Sequence, residues 1–228
     1  MRRKTYVMIV ALVATVCAST FMLSHIQHIN ALRDYKALSG VSVVLDPGHG
    51  GKDDGARTND AKEQEINLKI AEKLKLLLSK DGASVTMTRD GAYDLASEQA
   101  TNRKKEDMKK RVEIINQDQT DLFLSIHLNA YPNPSVKGAQ AFYKKDNEVS
   151  RVFADIVQKN FKKLTGTKMT SKTGDYYILN NTNKIGALVE CGFLSNEEDR
   201  EKLKTEEYQQ KVAQCLYESV LEYFQMLA

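Results

Sequence analysis

Short apolar runs alternate with helical spacings along most of the chain. Residues 41–46 (VSVVLD) form an apolar run closed by an acid and Pro47, the pattern of a strand buried on both faces. Ile66, Ile70, Leu74, Leu77 and Leu78 then recur at three- and four-residue spacing, which predicts a helix ending at Lys80-Asp81-Gly82. Residues 84–89 (SVTMTR) alternate as a strand, Met108, Val112 and Ile115 mark a second helix, and residues 121–127 (DLFLSIH) read as a second buried strand. Residues 138–143 are predicted as an edge strand, followed by a helix that turns Val149, Val152, Phe153, Ile156, Val157 and Leu164 inward. Two more strands are predicted at 176–179 and 185–190. Ser195, with Glu198 three residues on, has the form of a capping box, and a last helix from about Thr205 buries Val212, Leu216, Val220, Tyr223, Phe224 and Leu227. Strands alternating with helices predict an α/β fold: a single domain over residues 40–228, its mostly parallel sheet flanked by helices. Pro47, Pro132 and Pro134 fall just after predicted strand ends, where open α/β sheets place their ligands.

The N-terminus follows a different pattern. After Arg2-Arg3-Lys4, residues 5–23 (TYVMIVALVATVCASTFML) carry no charge, and a helix of that length, at about 1.5 Å per residue, is long enough to cross a hydrocarbon core of about 30 Å. This predicts a signal peptide or membrane anchor over residues 1–24, basic end in the cytoplasm, then a juxtamembrane linker over 25–39. An uncleaved anchor is favoured, because no Ala-x-Ala site follows and Ala14-Thr15-Val16-Cys17 is a poor lipidation box. His25 and His28 read as solvated, and the body is expected to work outside the cytoplasm. Arg2, Arg3 and Lys4 account for the whole formal charge of +3. The remainder is balanced, which argues against nucleic acid as a partner. With 42% hydrophobic residues in 228, the chain is not a disordered one. Outside the leader only Cys191 and Cys215 remain, too few for a disulfide scaffold, and both read as buried thiols.

Reactive groups fall at the strand ends and at one helix start: His49 within Asp46-Pro47-Gly48-His49-Gly50-Gly51, Glu63 or Glu65, His127, and Glu190. Two imidazoles and one carboxylate make a catalytic zinc site, with a fourth position open to water. Asp46 is a candidate acceptor that would orient an imidazole. A phosphate-binding loop does not fit, since Lys52 is followed by Asp53 rather than Ser or Thr, and Asp46 stands where the first glycine should be.

Taken in order, Asp46–Gly51, Glu63-Gln64-Glu65-Ile66-Asn67-Leu68, Thr88-Arg89, Arg111, residues 121–130 (DLFLSIHLNA) and residues 189–196 (VECGFLSN) resemble the successive motifs of zinc-dependent N-acetylmuramoyl-L-alanine amidases. The resemblance runs from about Val41 to the C-terminus. It implies that His49, Glu63 and His127 bind one Zn2+, that Glu190 is the catalytic carboxylate, and that the substrate is peptidoglycan, cut between the lactyl group of N-acetylmuramic acid and L-alanine. Helix geometry agrees on the carboxylate: Glu63 and Glu65 point about 200° apart, and Glu63 lies nearer the face of Ile66 and Ile70. Glu65 reads as an ordinary first-turn acid. Arg89, Arg111 and Asn129 are candidate substrate contacts. Cys191 follows Glu190 in a strand and should point to the opposite face as a packed thiol.

One apolar segment ahead of a bare catalytic domain resembles the layout of the germination-specific, spore-cortex amidases of endospore formers, which act with a deacetylase to make muramic-δ-lactam. That layout implies an extracytoplasmic place on the cortex side of the forespore, and a neutral body without a wall-binding repeat is expected to need an activating or targeting protein, or a modified wall, for full rate. The chain departs from the family at Asn180 and Gly186, where many relatives carry arginine and proline. Two other classes compete: another exported zinc hydrolase of wall peptides, such as a carboxypeptidase, and a membrane-anchored wall-binding protein with a structural metal.

Overall fold

The computed structural model describes residues 16–24 and 36–227. Residues 16–24 are helical (α1) and exposed. Most of the apolar leader, with His25 and His28, lies outside the described residues, and among those described no helix is long and apolar enough to cross a membrane. The compact unit begins at Ala37, with Leu38 fully buried in its core.

That unit is built on six strands: β1 (Ser42–Pro47), β2 (Ser84–Met87), β3 (Leu122–Asn129), β4 (Gln140–Tyr143), β5 (Lys172–Thr173) and β6 (Ile185–Phe193), in the order β2-β1-β3-β6-β4-β5. The pairs β1–β2, β1–β3, β3–β6 and β4–β5 are parallel, and β4 runs antiparallel to β6. Six helices follow α1: α2 (Glu63–Lys80), α3 (Arg103–Ile115), α4 (Glu148–Thr165), α5 (Tyr177–Asn181), α6 (Glu197–Leu203) and α7 (Glu206–Leu227).

Strand alternation divides the core in two. Val43, Leu45, Leu122, Leu124, Ile126, Ala187, Val189 and Cys191 pack against α2, α4 and α7. Val44, Phe123 and Leu188 face the other way, toward Val112 and Ile115 of α3 and Ile178 and Leu179 of α5. Each fully buried aliphatic side chain, Ile70 or Leu74 for example, contributes about 1.5–3 kcal/mol through water exclusion. The same period of two sends Asp46, Ser125, His127 and Glu190 to the α3 side and Cys191 to the α2 side.

Four local expectations are corrected. Residues 176–179 are not a strand: Tyr176 caps α5, whose turn, closed by Asn180 N–H donating to the Tyr176 carbonyl (3.0 Å), buries consecutive Ile178 and Leu179 together, which an alternating strand could not. Residues 140–143 are not an edge, because β5 pairs on their outer side. The α6 cap is Asn196, whose side chain accepts from Asp199 N, while the Ser195 hydroxyl accepts from Tyr131 N. Val149 and Leu227, at helix ends that overhang the core, are exposed.

Candidate active site

The loop after β1 carries His49 in the left-handed region (φ 64°), a conformation that a non-glycine residue adopts only when its surroundings impose it. Those surroundings are polar and buried. Arg89 Nε donates to the Pro47 carbonyl (2.9 Å), and its Nη2 donates to the Gly48 and Gln64 carbonyls (2.9 and 2.8 Å). Arg111 donates to the carbonyls of Pro47 (2.8 Å) and His49 (2.6 Å), and to the carboxylates of Asp46 (2.7 Å) and Asp107 (2.8 Å). Both guanidinium groups are thus committed to the loop that carries His49. Burial and the neighbouring Arg111 charge push Arg89 down to about 10, so it stays charged at neutral pH. Asp46, expected beside an imidazole, accepts instead from Thr88 and Ser125 hydroxyls as well as from Arg111. Burial pushes its carboxyl up, but these partners together hold it below the usual range.

Glu63 opens α2 and is 3% exposed. Its Oε2 accepts from Ala56 N (2.7 Å) and its Oε1 from Leu128 N (3.1 Å). His127 Nδ1 and His49 Nε2 stand 3.0 and 3.1 Å from that same Oε1, and one donor atom from each of the three residues lies within 4.8 Å of the others. Burial raises the Glu63 carboxyl, but its bonds to both imidazoles bring it well below its ordinary value. Glu65 points outward and pairs loosely with Lys62 (3.8 Å). The backbone between β1 and α2 packs closely against the His127 and Glu63 side chains: a Cβ added to Gly48 would sit 2.1 Å from His127 Cε1, and one on Gly55 2.5 Å from Glu63 Oε2.

Glu190 on β6 pairs in register with His127 on β3 and is 7% exposed. Its Oε1 lies 3.5 Å from the Tyr176 hydroxyl, and its buried Oε2 has no hydrogen-bond partner among the described residues. Burial raises its pKa to about 7, with the nearby imidazoles pulling down and Glu63 pushing up. A carboxylic acid tuned to neutrality can both take and give a proton. Cys191 lies on the other face in the core, its thiol pushed up by burial.

His49, Glu63, His127 and Glu190 line a cleft of about 370 Å³. Met108, Tyr176, Tyr177, Ile178 and Leu188 form an apolar wall, and Asp53, Lys104 and Asn129 reach it from elsewhere. Two contributors escaped sequence reasoning. Asp53 Oδ2 lies 3.0 Å from His49 Nδ1; its spacing of four across two glycines was the available signal. Tyr176 had none, because only the fold brings it to Glu190. Of the two departures, Asn180 is exposed on α5 and donates to Asp175 (2.8 Å). Gly186 N–H donates to the Ser150 hydroxyl (3.1 Å), and a Cβ there would lie 2.2 Å from the Phe123 ring, so proline would lose the bond and clash. Two imidazole nitrogens and a carboxylate oxygen converging beside an unpartnered buried acid fit a catalytic zinc, which takes three protein ligands and leaves a position open.

Comparison with known proteins agrees in sequence and in fold. Residues 43–222 match the N-acetylmuramoyl-L-alanine amidase family. The germination-specific N-acetylmuramoyl-L-alanine amidase of Bacillus subtilis (strain 168) is 38% identical over 194 residues, covering 82% of this chain and 81% of its own. Among solved structures, the CwlD amidase from Clostridioides difficile in complex with the GerS lipoprotein superposes with a TM-score of 0.78 at 36% identity, over 82% of this chain and 99% of that one. The catalytic domain of CwlV, an N-acetylmuramoyl-L-alanine amidase from Bacillus (Paenibacillus) polymyxa var. colistinus, does so at 0.72 and 28% identity, over 81% and 98%. With the family match spanning most of the compact unit, this chain belongs to the N-acetylmuramoyl-L-alanine amidases, hydrolases of peptidoglycan.

Proposed function

We propose that the enzyme is zinc-dependent, with His49, Glu63 and His127 as ligands and Glu190 as proton carrier, and that it acts on spore-cortex peptidoglycan. The observation that carries the site reading is the convergence of three donor atoms within 4.8 Å on a cleft shared with the unpartnered Glu190 carboxyl. Zinc held there would acidify water and stabilise negative charge on the lactyl carbonyl oxygen. Glu190 as carboxylate takes the proton of the attacking water and delivers it to the alanine nitrogen as the carbon–nitrogen bond breaks, leaving a lactyl carboxylate and a free amine. Tyr176, through its hydroxyl, keeps the Glu190 carboxyl turned into the cleft. Arg89 and Arg111 act through the His49 loop, their donors given to its carbonyls, while Asn129 stands at the cleft for substrate.

The cortex role draws support from the germination-specific relative, and a lipoprotein-like activating partner from the CwlD–GerS complex. A membrane anchor over residues 5–23 would place the domain outside the cytoplasm, where wall amidases work. Mass spectrometry of muropeptides digested with and without chelator tests the reaction. Intact lactyl carboxylates and free L-alanine amines, lost on chelation, are expected; cleavage elsewhere in the peptide, or indifference to chelation, would overturn it. Disruption of the gene should remove muramic-δ-lactam from the cortex.

A further inference from the structure

Asn67 is fully buried on α2, one turn after Glu63, beside Ile66, Ile70 and Ala71 of the hydrophobic core. Its amide reaches back toward the cleft end of the helix. Nδ2 donates to Glu63 Oε1 (3.3 Å), the oxygen that faces both imidazoles, and to the Gly48 carbonyl (3.3 Å), one residue before His49. Gly48 is also the backbone against which the His127 ring packs. One amide group is thus linked to all three donors of the site: to Glu63 directly, to His49 through the peptide before it, and to His127 through Gly48. Both of its partners are acceptors, so only the NH2 end can meet them. Oδ1 is left buried, with no hydrogen-bond partner among the described residues.

As a source of stability this residue is a poor choice. Its hydrogen bonds are long for N–H donors, its carbonyl oxygen has lost water without gaining a partner, and asparagine is a weaker helix former than the leucine that a core position would take. What it supplies is order at the carboxylate. Glu63 Oε2 accepts from Ala56 N, and Oε1 accepts from Leu128 N and Asn67, so donors on both oxygens keep the carboxylate from turning about its bond. Of those three donors only Asn67 also holds the Gly48 carbonyl, and so ties α2 to the loop of His49. A neutral amide does this without setting a positive charge beside a cation site, as lysine or arginine would. Resting on the zinc reading, we propose that Asn67 is a positioning residue. It holds the Glu63 carboxylate and the His49 loop in their ligating arrangement before metal arrives, and the fold gives up stability to keep it there.

The test reads zinc affinity and thermal stability separately on the full-length protein. Asn67→Leu, close in volume, should weaken zinc binding about 10–100-fold in a chelator competition, while the melting temperature of the metal-free protein stays level or rises. Asn67→Ala removes the same donors without filling the space, so it should weaken zinc to the same degree while melting lower. Gln64→Met is the control. Gln64 is buried one residue after Glu63 with an unpartnered oxygen of its own, but its side chain bonds Asp54 and no ligand, so zinc affinity should not change. Unchanged affinity in the folded Asn67 variants would overturn the positioning role, as would an equal loss in Gln64→Met. A lower metal-free melting temperature in Asn67→Leu would overturn the exchange of stability for ligand order. Failure of the wild type to bind zinc would instead remove the metal reading, and this role with it.

Discussion

At the scale of single residues, the proposed chemistry turns on two carboxylates held in opposite states. Glu63 accepts from two backbone amides and faces two imidazoles, so it stays ionised. Glu190, buried with an unpartnered oxygen, is held near neutrality at about 7. Glu190→Gln keeps shape but not basicity, so zinc should stay bound while turnover drops about 10²–10⁴-fold, read from metal content and amide hydrolysis on one sample. In the proposed role of proton carrier Glu190 must be ionised, so the rate should rise with pH through a limb at or below about 7, since a bound dication lowers the pKa further, and the variant should lack that limb. In the metal-free protein the sign for stability is opposite. The fold favours neutral Glu190, a contribution complete below the ordinary carboxylate pKa and lost as pH rises toward about 7. Melting temperatures of the metal-free wild type and Glu190→Gln should therefore match near pH 4 and diverge by pH 8 in favour of the variant. Glu63→Ala should lose zinc and Glu65→Ala keep it; retention in the first with loss in the second would reassign the ligand. Asp53 shows the limit of reading residues singly, because its link to His49 exists only once the glycine loop has turned.

At the scale of elements, the loop after β1 and the elements β3, β6 and α2 each contribute one reactive side chain, and the buried arginines hold that loop to the rest. Arg111→Met would strand the Asp46 and Asp107 carboxylates inside the protein, a loss of about 3–5 kcal/mol in urea unfolding, whereas an exposed ion pair such as Lys109–Glu113 should contribute under about 1 kcal/mol. Gly48→Ala puts a Cβ where the His127 ring lies, so metal affinity should fall about 10–100-fold in a competition titration while the helical circular dichroism stays unchanged. Element type was legible wherever hydrophobic period was long, as in α2, α4 and α7. It failed at 176–179, where four apolar or aromatic residues fit a strand or a helical turn equally well, and at β5, whose two exposed residues carry no period at all.

For the whole molecule, the catalytic unit is one layered α/β body, and residues 5–23 are proposed to hold it at the membrane. If residues 5–23 remain as an anchor, fractionation should find the full-length protein in the membrane pellet, and a shortened soluble product would establish a cleaved signal. The sequence by itself determined the α/β class and the order of the main strands and helices, and it singled out His49, Glu63, His127 and Glu190, side chains that the fold brings to one cleft. Hydrophobic period, turn chemistry and motif order are written locally along the chain, and strand alternation assigns Glu190 and Cys191 to opposite faces without any tertiary knowledge. Tertiary structure alone decided that Asp53 rather than Asp46 faces His49, that Arg89 and Arg111 spend their donors on the loop, and that Tyr176 meets Glu190. Asp46 and Ser125 bond across 79 positions, Arg111 reaches His49 across 62, and Arg89 reaches Gly48 across 41. Contacts at those separations depend on which strand ends become neighbours in the sheet, and no spacing along the chain encodes that.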